Sequence, residues 1–69
     1  MKTSARNMLR GKVKEIKVGA VNSEILLELP DGQEIVSIIT ISSQERLGLE
    51  VGEEVYALIK ASSVMIAVD

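Results

Sequence analysis

Two short segments at opposite ends of this 69-residue chain combine hydroxyls with a single cation and contain no acid. One is Thr3-Ser4-Ala5-Arg6-Asn7. The other is Lys60-Ala61-Ser62-Ser63. That mixture suits a small tetrahedral oxyanion, which presents acceptor oxygens on every side and so needs a shell built of donors. Hydroxyls, backbone N–H groups and one or two cations supply charge-assisted bonds to it, whereas a nearby carboxylate would repel it. A third segment, Gly19-Ala20-Val21, has side chains small enough to leave its amides approachable, as in an anion-binding nest. Taken singly, each segment has a plainer reading. Serine and threonine at strand ends also form local turns, and a lysine there is commonly just solvated.

Catalytic chemistry is hard to assemble from this composition. There is no Cys and no His, so the usual activated nucleophile and its base are missing. Carboxylates remain the only good ligands for a bare cation, and no metal site or cofactor is expected. Glu24 and Glu28 share a strand face but have no apolar pocket around them, and they read as solvated charges rather than a general acid. The chain therefore reads as a binder and not an enzyme.

Size points the same way. The 69 residues make one domain, residues 1–69. A domain this short buries only about 60% of the surface its unfolded chain exposes, and it needs a staple: disulfides, a metal or partner subunits. With disulfides excluded, assembly is the expected stabiliser. Net charge is only -2, but its distribution is uneven. Lys2, Arg6, Arg10, Lys12, Lys14 and Lys17 lie in the first 17 residues, while nine of the ten acids follow. This gives a local positive field on a mildly acidic protein. No long apolar run follows the N-terminal charges, so no signal peptide is expected. No run of about 18 apolar residues marks a membrane span, and a cytoplasmic location is the default.

The elements that must position these segments are mostly strands, because Val, Ile and Thr are dense and proline occurs once. A long first strand is expected over 5–18, bent at Gly11, then strands at 24–29 and 34–41. Leu29-Pro30-Asp31-Gly32 suits a type I turn between the second and third. A short helix over Ser42–Leu47 is expected, with Ser42 as cap, Glu45 completing a capping box and Gly48 as the left-handed stop. A Glu50–Glu53 corner leads to a fourth strand at 54–60, and a fifth follows at 64–68. The fold class is all-β: an OB-like five-stranded barrel with one short helix between strands 3 and 4.

Several strands are apolar on both faces. Ile25, Leu27 and Leu29 oppose Leu26. Ile35, Ile39 and Ile41 oppose Val36 and Ile38. Val64, Ile66 and Val68 oppose Met65 and Ala67. A lone antiparallel barrel needs only one apolar face. The surplus predicts a symmetric oligomer, which covers it with one surface used repeatedly.

The same residues resemble a known family. Thr3-Ser4-Ala5-Arg6-Asn7, with Leu9 and Gly11-Lys12-Val13, is similar to the opening of the molbindins. Ser37-Ile38-Ile39-Thr40, Leu47-Gly48-Leu49, Gly52, Val55 and Ile59-Lys60-Ala61-Ser62-Ser63-Val64-Met65 fit the rest, so the resemblance runs over essentially the whole chain. The family's module also occurs fused or doubled in molybdate-responsive regulators and transporter ATPases. Here there is no helix-turn-helix and no Gly-x-x-x-x-Gly-Lys-Ser/Thr run. The resemblance implies an OB-like subunit and a hexamer built as a trimer of dimers. It implies molybdate or tungstate held between subunits for intracellular storage or homeostasis. Ser4, Arg6, Lys60 and Ser62 match the family's binding motifs, with Asn7 and Ser63 adjacent. Gly19, Ala20 and Val21 match the loop that approaches the anion from a neighbouring subunit.

Two other functions compete. A nucleic-acid-binding OB module would use the basic first strand, but single-strand binders stack bases on several aromatics, and Tyr56 is the sole aromatic here. A structural or interaction module would use exposed strand edges to pair with another chain. Neither nucleic acid nor membrane is the expected partner.

Overall fold

The computed structural model describes residues 1–69. Four strands form one antiparallel sheet: β1 (Asn7–Val18), β2 (Asn22–Glu28), β3 (Glu34–Thr40) and β4 (Glu54–Ile59), in the order β3-β2-β1-β4. A single helix, α1 (Ile41–Leu47), lies between β3 and β4, and a 3-10 turn spans Ala61–Ser63.

β1 holds the sheet together because it is long enough to serve two partners. Its first half pairs with β4, from Asn7 opposite Ile59 to Lys12 opposite Glu54. Its second half pairs with β2, from Lys12 opposite Glu28 to Val18 opposite Ser23. Gly11 sits at the changeover, and a Cβ there would stand 3.1 Å from the Glu28 carbonyl oxygen. The irregularity itself falls further on than Gly11. The register slips between Val13 and Glu15, so Lys14 is the extra residue of a β-bulge. Beside it, the Val13 amide donates to the Glu53 carbonyl (2.9 Å) and the Val13 carbonyl accepts from Gly52 (2.7 Å), docking the Glu50–Glu53 corner.

Turn chemistry closes the rest. The Gly32 amide donates to the Leu29 carbonyl (2.9 Å), with Gly32 at φ 90°. The carboxylate of Asp31 accepts from the Gln33 amide and side chain at 3.1 and 2.7 Å. α1 starts earlier than expected. Thr40, not Ser42, is the cap, and its hydroxyl accepts from the Ser43 amide at 3.0 Å. The expected capping box of Ser42 with Glu45 does not form, because Ser42 already lies inside the helix. Gly48 ends the helix at φ 62° as expected.

The core is small. Only five of the 69 residues are buried, and Val13, Ile25 and Leu27 are the buried apolar ones. Ile16, Ile39, Leu49, Val55 and Ala57 pack against them. The outer face carries Val36 and Ile38 well exposed, as the two-faced pattern predicts.

The fifth strand is a correction. Residues 64–69 form no strand, and none of the backbone amides from Met65 to Asp69 donates to a carbonyl of the chain. A strand exists only through lateral pairing, and after the Ala61–Ser63 turn the chain pairs with neither sheet edge. Met65, Ile66 and Val68 are left 93%, 85% and 91% exposed. The sheet is therefore curled but not closed. Between its edges β3 and β4 lies an apolar cleft of about 360 Å³, lined among others by Leu27, Ile39, Leu47, Leu49, Val55 and Leu58.

Candidate functional site

The pairing of Asn7 with Ile59 sets the site's geometry. It places the residue before β1, Arg6, beside the residue after β4, Lys60. The Asn7 side chain reinforces the junction by donating to the Ile59 carbonyl at 3.2 Å. Beyond it the two chain ends diverge and enclose a cleft of about 480 Å³, lined by Thr3, Ser4, Ala5, Arg6, Leu58, Lys60, Ala61 and Ser62. The two hydroxyl-and-cation segments thus meet within one chain, although 50-odd residues separate them.

Every polar side chain of the lining carries a donor, and none is a carboxylate. The chain's ion pairs involve Lys14 and Lys17, so neither Arg6 nor Lys60 is neutralised by an acid. The backbone adds further donors. The Ala5 amide bonds to the Thr3 hydroxyl at 3.1 Å. The remaining amides of Thr3–Arg6, and those of Lys60, Ala61 and Ser62, donate to no carbonyl of the chain. The 3-10 turn explains the second group. Its bonds run from Ser63 to Lys60 and from Val64 to Ala61, and the amides ahead of them are orphaned as at any helix start.

The expected residues divide cleanly. Ser4, Arg6, Lys60 and Ser62 line the cleft. Asn7 and Ser63 adjoin it: Asn7 is engaged by Ile59, and the Ser63 amide by Lys60. Gly19, Ala20 and Val21 lie elsewhere, at the far end of the 12-residue strand β1. At about 3.3 Å per residue, that end is far beyond contact with the cleft. There the Gly19 amide donates to the Asn22 carbonyl (2.8 Å), while those of Ala20 and Val21 donate to no carbonyl. Thr3, within the first donor segment, and Leu58, which carries no chemical signal in sequence, line the cleft as well. Leu58 pairs with Met8, one step from the Asn7–Ile59 pair at which the cleft begins. Tyr56, half-exposed two residues earlier on β4, carries the Arg10 guanidinium over its ring at 5.7 Å.

An open cleft of donors on a curled all-β sheet has the chemistry an anion-binding module needs. Residues 3–66 match the TOBE domain, and the chain belongs to that family and, within it, to the molbindins. It is 47% identical over 66 residues to molybdenum-pterin-binding protein 1 of Clostridium pasteurianum, covering 96% of this chain and 97% of that one. A molybdate-binding protein from Sporomusa ovata superposes with a TM-score of 0.91 at 42% identity, covering 97% and 98% of the two chains. The cytoplasmic molybdate-binding protein ModG, with molybdate bound, superposes at 0.89 with 48% identity over 94% of this chain and 46% of that one.

Proposed function

We propose that this protein binds molybdate or tungstate as its ligand, at sites shared between subunits, and catalyses no reaction. The observation that carries the reading is the cleft between the chain ends, rich in donors and without an acid. Molybdate is a dianion that loses water on binding. Fixed N–H and O–H dipoles replace that water, and Arg6 and Lys60 balance its charge. The names of the two molybdate-binding relatives support the choice of oxyanion.

Size and distance support sharing between subunits. The cleft is open to solvent and, at about 480 Å³, larger than one tetrahedral ion, which fits a shell that one chain supplies only in part. The free amides of Ala20 and Val21 cannot reach the cleft of their own chain and are available to another copy's. Residues 64–68 likewise match the open β3–β4 edge of a second copy, alternating Val64, Ile66 and Val68 against an apolar cleft. Such pairing would complete the five-stranded barrel. The assembly we favour is a hexamer, a trimer of dimers, serving storage or homeostasis of the anion in the cytoplasm. No helix is long and apolar enough to cross a membrane.

Native mass spectrometry with and without molybdate tests this directly. Six copies carrying bound oxyanion are expected. A monomer that takes up neither molybdate nor tungstate overturns the proposal.

A further inference from the structure

Ser23 is the only fully buried polar side chain of the molecule, at 0% exposure. Its hydroxyl donates to the side-chain oxygen of Gln44 on α1. A buried hydroxyl must find a partner, yet an apolar pair of similar shape would fill the same space at little cost. What the polar pair adds is direction. Ser23 stands opposite Val18 in the β1–β2 register, at the base of the turn that carries Gly19, Ala20 and Val21. Gln44 belongs to the helix whose first amide, Ile41, donates to the Val21 carbonyl at 3.4 Å. The Gly19–Asn22 bond closes the turn on itself. The turn is thus attached to α1 through its carbonyl and to β2 through its base, and the Ser23–Gln44 bond ties those two elements together.

We infer that Ser23 and Gln44 are positioning residues. They do not touch the anion, but their bond fixes where the Ala20 and Val21 amides stand when they meet an oxyanion held by another copy. This rests on the shared-site reading above. Without the bond, α1 is held to β2 only through the Ile41–Val21 bond and the β2–β3 pairing that precedes it, and the two amides are placed less precisely. The whole structure need not fail, because the sheet pairing and the three-residue apolar core do not depend on this bond.

The test uses sodium molybdate, isothermal titration calorimetry and the full chain as Ser23→Ala, Gln44→Met and the double variant. Each single variant is expected to bind about five- to tenfold more weakly than the parent. The double variant is expected to be no weaker than the singles by more than about twofold, since one bond is lost in all three. Amide hydrogen exchange at residues 19–22 should quicken while that at residues 7–12 does not, and the subunit count should hold. Gln44→Met keeps a good helix former at a half-buried position, so it remains informative if Ser23→Ala folds poorly. A purely structural role would lower melting temperatures and leave affinity unchanged. If both single variants bind molybdate as tightly as the parent while Lys60→Met binds weakly, the positioning role is overturned and the oxyanion site stands. If the parent takes up no molybdate, both are overturned.

Discussion

Lys60 and Arg6 lie side by side just beyond the Asn7–Ile59 pair and both line the cleft, and their charges are what a dianion would feel most strongly. A hydrogen bond from a charged group contributes about 1.5–3 kcal/mol. Lys60→Met is therefore expected to weaken molybdate binding by about tenfold to a hundredfold in equilibrium dialysis, and parental affinity would remove Lys60 from the site. Asp31 offers a separate check on the hairpin. The backbone amide of Gln33, then its side chain, holds the Asp31 carboxyl below its ordinary value of 3.8. Because the folded value is depressed, this contribution is complete above the unfolded pKa and disappears as pH falls through the folded one. NMR titration should find Asp31 ionising below 3.8, and Gln33→Pro, which removes the amide donor, should return it toward that value. Lys14 has the opposite sign. Glu34 at 2.7 Å, then Glu28, raise its pKa above 10.5, so its contribution is complete below that value and is lost as pH climbs through the raised one.

At the scale of elements, the bulge at Lys14 has the largest consequence. It lets β1 bend between two partners, and it aims Lys14 at acids on β2 and β3 together. Its trace in the sequence is the step from Val13 to Ile16, three residues where a strand's period is two. A period-of-two reading passes over that step, and residue type alone points to Gly11 for the bend. The helix cap was misplaced for a similar reason. Thr40, Ser42 and Ser43 are all good caps in sequence, and only the backbone shows which hydroxyl reaches an amide. Thr40→Ala is expected to cost about 1 kcal/mol in chemical denaturation, while Ser42→Ala should lie near the parent. Equal losses would restore the Ser42 assignment.

The whole molecule is under-built for life alone. Its core is three buried apolar residues, its sheet has two open edges, and its last six residues are unpaired, with Met65, Ile66 and Val68 in solvent. On the proposed assembly, deleting residues 64–69 should weaken association, and sedimentation velocity should then report species smaller than the parent. An unchanged sedimentation coefficient would remove the tail from the interface. Ligand should act in the opposite direction. Molybdate at a hundred times its Kd adds about 2.7 kcal/mol to whichever state binds it. At about 4–8 °C per kcal/mol for a domain this size, melting should rise by about 10 °C or more.

Strand character, the hairpin at Pro30, the stop at Gly48 and the donor chemistry of Thr3–Asn7 and Lys60–Ser63 were all written in the sequence. Each depends on residue type and near-neighbour spacing, which are local. The register that sets Arg6 beside Lys60, the bulge at Lys14, the distance of Gly19–Val21 from the cleft and the unpaired state of residues 64–69 were decided by the tertiary structure. Those depend on which backbone groups pair across long separations, and residue type does not encode the partner. The apolar alternation of Val64, Ile66 and Val68 shows the division well. It declares a strand, but a strand is completed only by the edge it finds, and this chain's fold places none beside it.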